Sequence, residues 1–165
     1  MRMLIFSTAY FPHVGGAEVA VKEITDRISD VDFDMITVRL SKKDLLKEKV
    51  GSINVYRIGF GLGRIDKLLF PFRASRLAQK LHKKEKYDIM WSIMASFSGF
   101  AALFFKKKNP DVKFLLNLQE GDDLKQVEKK VWLVKKWFKQ IFTKADYVQV
   151  ISNYLAEWAK EKGVD

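Results

Sequence analysis

A short apolar run over residues 3–6 is followed by Tyr-Phe-Pro-His-Val-Gly-Gly-Ala-Glu at residues 10–18, and then by a helical pattern over residues 19–28. This order constrains the chain more than any other stretch, because it describes a strand, a loop and a helix in direct succession. Pro12 fixes its own φ and turns His13 away from a continuing ladder. Gly15 and Gly16 lack a Cβ, so the backbone is free to adopt positive φ and a ligand can come close to it. The helix that follows begins with unpaired N–H groups and a partial positive charge. A phosphate could therefore sit on the amides of Gly15 and Gly16. Glu18 falls in the first turn, where an acid is favoured. The competing reading is a tight turn that needs glycine for geometry alone. The spacing lacks the G-x-G-x-x-G of dinucleotide sites, which argues against a nicotinamide or flavin cofactor.

The same alternation continues along the chain. Strands are expected at residues 2–8, 33–40, 53–58, 88–93, 112–118 and 146–151, and helices at 15–29, 65–84, 96–107, 124–142 and 154–162. Residues 41–51 read as a polar loop with a helical turn, and the third strand as lying near an edge. In the first helix, Val19, Ile24 and Ile28, with Ala20 and Val21, give the inner face; in the second, Phe70, Phe72, Leu77 and Leu81 are the apolar positions, and the helix is expected to be bent or interrupted near Pro71. Residues 59–64, with three glycines at alternate positions, read as a mobile loop. Strands alternating with helices make βαβ units, and the expected fold class is α/β: a doubly wound parallel sheet of about six strands in one domain.

Composition narrows the chemistry. The 165 residues contain no cysteine, which excludes disulfides and thiolate zinc sites. His13 and His82 are the only histidines and lie far apart, so no metal is expected. No apolar stretch approaches the ~18 residues of a membrane span. Residues 1–6 read as a first strand rather than a signal peptide, and the expected location is cytoplasmic. The net charge of +10 suggests an anionic partner, against the plainer reading of a solvated lysine-rich surface.

Tyr10, Pro12, Gly15, Gly16 and Glu18 together resemble the opening loop of group 1 glycosyltransferases, retaining enzymes built from two Rossmann-like domains in the GT-B architecture. Lys86-Tyr87-Asp88 is similar to the entry of a later strand in that family, Gly121-Asp122 to its Gly-Asp pair, and residues 145–152 to its Ala-Asp-x-Val-x-x-x-Ser segment. The resemblance spans the chain and implies the N-terminal, acceptor-side domain of such an enzyme. It implies a nucleotide-diphosphate sugar as co-substrate, no other cofactor, and a glycan or lipid-linked acceptor. Nothing in residues 1–165 corresponds to the family's C-terminal donor-binding domain, so this domain alone is expected to be inactive.

Within that resemblance Gln119 stands where the family often has histidine. Gln119 can hydrogen-bond a sugar hydroxyl but cannot be a base; Glu120 can accept a proton if it points into the cleft. These two are the catalytic candidates. Gly15, Gly16, His13, Glu18, Asp122 and Ser152 are the candidates for donor-phosphate or acceptor binding. Against them stand plainer roles: Glu120, Asp122 and Asp123 as an acidic helix start, His13 as a surface loop residue, Ser152 as a helix cap.

On a single wheel over residues 124–142, Val127, Val131, Val134, Phe138 and Ile141 form a stripe to be buried. Lys125, Lys129, Lys136 and Lys139 gather elsewhere with Trp132 among them. An aromatic amid lysines suits an anionic membrane surface, which would make the protein peripheral on the cytoplasmic face. The alternative function is a non-enzymatic basic α/β domain binding nucleic acid or such a membrane. Nucleic acid is disfavoured, because the aromatics fall at core spacing and a doubly wound sheet has no open face for base stacking.

Overall fold

The computed structural model describes residues 1–121 and 124–164, with the side chains of Lys125 and Lys130 outside the description. Asp122 and Asp123, named above as candidates, therefore lie outside the described residues, as does the side chain of Lys125.

One sheet is formed by β1 (Arg2–Phe6), β2 (Asp32–Val38), β3 (Lys47–Val50), β4 (Ile53–Ile58), β5 (Ile89–Ile93), β6 (Lys113–Leu118) and β7 (Tyr147–Val150). Their spatial order is β3-β4-β2-β1-β5-β6-β7. All neighbours are parallel except β3 and β4. Without β3, the six parallel strands run 3-2-1-4-5-6 in order of appearance, the doubly wound order in which the chain reverses direction between its first and fourth strands. The helices are α1 (Gly16–Thr25), α2 (Arg64–Lys84), α3 (Phe97–Lys106), α4 (Leu124–Lys130), α5 (Lys135–Thr143) and α6 (Asn153–Glu161).

The parallel strands are apolar because both faces are covered. Residues of α2, α3, α5 and α6 join one core with Leu4, Phe6, Ile36, Phe114 and Leu116. Those of α1 close a smaller core with Ile5, Phe33, Met35 and Val55 on the opposite face.

Four expectations are corrected. First, residues 47–50 form an antiparallel edge strand instead of a loop. Its charged side chains, which hid it from an apolar pattern, are those that keep an edge from pairing with other chains. Second, α1 turns Val21 inward as expected, but with Ala17 and Thr25; Val19 and Ile24 are exposed, as is Ile28 beyond the helix end. Small side chains let the helix sit close on the sheet, and the Thr25 hydroxyl is satisfied by donating to the Val21 carbonyl at 2.9 Å. Third, α2 is not interrupted at Pro71 but runs through it from Arg64 to Lys84, with Phe70 buried but Phe72 62% exposed. Fourth, the helix expected over residues 124–142 is interrupted by a 3-10 turn, Trp132–Val134. Phe138 and Ile141 are buried as expected and Val127 and Val131 lie against the core. The interruption removes the single wheel on which the lysines and Trp132 shared a face.

Candidate active site

The crevice of the sheet lies where β1 and β5 part, at their C-terminal ends. The loop after β1 is anchored along its length. Tyr10 is buried, its ring edge-on to Phe11 with centroids 5.2 Å apart, and burial raises the pKa of its phenol. The buried Arg57 of β4 donates to the carbonyls of Phe11 and, at 3.0 Å, Leu45, and pairs with Glu48 at 2.5 Å. His13 Nε2 lies 3.1 Å from the buried Asp44 carboxylate, which also accepts the Ser41 amide at 2.8 Å. Burial pushes the Asp44 carboxyl up, but the Ser41 amide, His13 and Arg57 outweigh it and hold it below its ordinary value. His13 thus ties the loop to the β2–β3 connection.

Gly15 is the N-cap of α1, with φ −132° and ψ −165°, and its N–H donates to Glu18 Oε2 at 2.7 Å. Glu18 is therefore a capping carboxylate. Neither Gly15 nor Gly16 has positive φ, contrary to the conformational use expected for them. A Cβ placed on Gly16 would meet nothing within 4 Å; one on Gly15 would stand 3.1 Å from Glu18 Oε2. What glycine leaves at residue 16 is open space where a Cβ would stand; of the two amides expected to receive a phosphate, that of Gly15 is already taken by Glu18.

At the neighbouring β5–α3 turn, Met94 takes φ +67°, a left-handed conformation that costs a non-glycine residue about 1–3 kcal/mol. Two bonds hold it there. Its N–H donates to the Asn117 carbonyl at 2.8 Å, and the next amide, Ala95, donates to Glu120 Oε1 at 2.5 Å. Glu120 Oε2 is shielded from solvent and has no partner among the described residues. Burial raises the Glu120 pKa; the amide of Ala95 acts against it. Beside it, Gln119 Nε2 donates to Asn117 Oδ1, and Asn117 Nδ2 to Gln149 Oε1 at 3.1 Å, so the side-chain amides run as a chain from β6 to β7. Ser152 is exposed and caps α6, accepting the Leu155 amide at 3.2 Å.

The loops carrying Gly15, Gly16, Gln119, Glu120 and Ser152 all leave the same, C-terminal edge of the parallel strands. Trp132 is exposed at the 3-10 turn, while Lys139 approaches Gly163 beyond α6, its Cε 3.5 Å from where a Cβ there would stand. The groups that sequence reasoning missed are Met94, Ala95, Asp44 and Arg57. Only Arg57 carried a signal, as a charged residue inside an apolar strand.

Residues 14–165 match Glycosyltransferase Family 4. The chain belongs to that family. It is 26% identical to an uncharacterised glycosyltransferase of Methanocaldococcus jannaschii, over all of this chain and 45% of that protein. It thus spans about half the length of the curated relative it matches. Sucrose-phosphate synthase from Thermosynechococcus elongatus superposes with a TM-score of 0.73 at 15% identity, over 97% of this chain and 44% of that one. A second structure of the synthase gives 0.67 at 15% identity, over 96% of this chain and 80% of that one. The fold is the Rossmann-like N-terminal domain of the GT-B architecture, as the resemblance implied.

Proposed function

We propose that this family 4 domain is the acceptor-side half of an enzyme that moves a sugar from a nucleotide-diphosphate sugar to a glycan or lipid-linked acceptor. The observation that carries the reading is the open space at Gly16. A glycine there is demanded neither by backbone conformation nor by packing, and the first amides of a helix have no intrahelical acceptor. Those amides would meet the charge of the departing diphosphate, where preorganised donors contribute most. A second domain would supply the rest of the donor site and exclude water, consistent with relatives about twice as long. Glu120 would act by position. It fixes the Ala95 amide and so the left-handed turn at Met94, while Gln119, whose Nε2 donates to Asn117, would offer its carbonyl oxygen to a sugar hydroxyl.

The test is transfer by the protein carrying both halves, with nucleotide sugars and acceptors supplied as pools. Gly16→Val should keep the fold and abolish transfer; normal transfer in that variant removes the phosphate role. Residues 1–165 alone should not turn over, since half the positioning groups are missing.

A further inference from the structure

The α2 helix is apolar on two sides. One side, with Phe70, Ala74 and Ala78, is fully buried in the core. The other carries Ile65, Leu68 and Phe72 at 57%, 64% and 62% exposure, with Leu69 beside them at 36%. These positions recur at i, i+3, i+4 and i+7, one stripe of a helix, and the stripe faces outward. The loop leading into α2 continues it with Phe60 and Leu62, both more than half exposed. A soluble surface scatters single apolar residues; a continuous patch of this kind marks an interaction site.

Where the stripe ends, a groove of about 450 Å³ opens, with walls from α2, α3 and α5. Phe72 stacks on Phe104 with centroids 5.3 Å apart, and Phe104 meets Trp137 edge-on at 6.2 Å. Arg76, Lys107 and Lys108 line the same groove, with no acidic residue among its lining. None of the three cations has an ion pair among the described residues. Gln79 also lines it, and its Nε2, shielded from solvent, has no hydrogen-bond partner among the described residues. The only acid between residues 59 and 84 is Asp66, which is buried and accepts the Phe60 and Leu62 amides. An apolar stripe running into a groove with an aromatic floor, three cations and a spare amide donor matches a molecule with a hydrocarbon body and an anionic head.

We propose that this surface docks the protein on an anionic phospholipid bilayer. The stripe of α2 and the loop before it enter the headgroup boundary, and a lipid phosphate sits among Arg76, Lys107, Lys108 and the Gln79 amide. Charge decides for a membrane over a second copy of the chain: a two-fold contact through this face would set the three cations against themselves. Docking is placed on α2 and not on the face around Trp132, because the single long helix on which that face was drawn is interrupted at Trp132–Val134. The first turn of α2 follows β4 at the C-terminal edge of the sheet, while Lys107 and Lys108 lie in the α3–β6 connection toward the opposite edge, so the docked surface runs along one side of the domain with the crevice at one end of it. The inference rests on the surface alone and survives failure of the transfer assay.

Cosedimentation of the purified protein with vesicles of phosphatidylcholine containing phosphatidylglycerol tests it, with pure phosphatidylcholine as the neutral arm. Binding should be strong on anionic vesicles at low salt and fall as salt shortens the screening length from ~30 Å at 0.01 M to ~8 Å at 0.15 M. Each basic residue near such a surface contributes about fivefold in partitioning, so Arg76→Glu with Lys107→Glu and Lys108→Glu should lower it at least tenfold. Leu68→Ser with Phe72→Ser should reduce binding to a comparable extent, and both sets sit on the surface, so circular dichroism should not change. Trp132→Ser with Lys136→Glu should bind as the parent does. The proposal is overturned if the parent fails to sediment with anionic vesicles at low salt, or if both α2 and groove variants bind as the parent does. It is also overturned if inorganic phosphate or an unrelated RNA occupies the groove while the bilayer does not.

Discussion

The Glu120 carboxylate takes the Ala95 amide on one oxygen at 2.5 Å, and its other oxygen, shielded from solvent, has no hydrogen-bond partner among the described residues. The pair joins the end of β6 to the turn after β5, beside a residue held at positive φ. Strain of this sort persists only where neighbouring bonds over-determine it, and it concentrates at functional sites. The burial that makes this carboxyl a poor surface group also decides its titration.

Glu120→Gln should separate a positioning role from a basic one. The glutamine oxygen can still accept the Ala95 amide, so positioning survives and transfer by the longer protein should fall only a few-fold. Loss of a general base would instead cost about 10²–10⁴-fold. Glu120→Ala removes the acceptor and should lose both activity and stability. The folded protein holds the Glu120 proton more tightly than the unfolded chain does. Its contribution to stability is therefore full below the ordinary glutamate pKa and is lost as pH rises through the raised folded value. Melting temperatures measured from acid to neutral pH should decline less steeply on the alkaline side in Glu120→Gln than in the parent.

The two glycines of the first loop should respond differently. Valine at residue 16 has open space and no positive φ to violate, so Gly16→Val should leave the melting temperature nearly unchanged. Valine at residue 15 crowds the Glu18 carboxylate, 3.1 Å from the new Cβ, and loosens the cap. Gly15→Val should cost about 0.5–2 kcal/mol, the range for losing a helix cap, read from urea denaturation.

The β-α alternation made the parallel sheet legible, because both faces of the central strands are buried and their apolar runs are continuous. The antiparallel β3 was not, since Lys47, Glu48 and Lys49 serve an edge and offer no apolar periodicity. The inward face of α1 was misread for a related reason. Sequence periodicity ranks residues by hydrophobicity, whereas close approach to a sheet selects for size, and Ala17 and Thr25 fit where Ile24 and Ile28 do not. In the site, glycine spacing pointed to the right loop but to the wrong property of glycine. Met94 left no trace, because its conformation is imposed by the Asn117 carbonyl and the Glu120 carboxylate, both distant in sequence.

The loop over residues 59–64 was expected to be mobile, and Asp66 constrains it. Its carboxylate, buried at the start of α2, accepts the Phe60 amide at 2.9 Å and the Leu62 amide at 2.7 Å. Arg73 lies over the Phe60 ring, 4.5 Å from its centroid. Asp66→Ala should free both amides and cost about 2–4 kcal/mol, given about 1.5–3 kcal/mol for a hydrogen bond to a charged group. Hydrogen exchange at Phe60 and Leu62 should accelerate in that variant while the β1 and β5 amides stay protected. Equal acceleration across the sheet would mean that the acid supports the whole domain and not the loop.

Gly59 and Gly63 frame that loop and test the same contact from the other side. Both have positive φ, +124° and +58°, so an alanine at either is strained by its backbone alone. At Gly63, with φ +58° and ψ −102°, a Cβ would meet nothing within 4 Å, and the penalty should be the backbone strain alone, of order 1–3 kcal/mol. At Gly59 the Cβ would stand 2.6 Å from the Asp66 carboxyl carbon. That carbon cannot retreat without releasing the Phe60 and Leu62 amides, so the clash adds to the backbone strain. Gly59→Ala should therefore be clearly less stable than Gly63→Ala in urea. The double variant Gly59→Ala with Asp66→Ala should be less destabilised than the sum of the two single changes, because the alanine at residue 66 has already vacated the space. Strict additivity in that cycle would show that the glycine is required for its φ and not for its approach to Asp66.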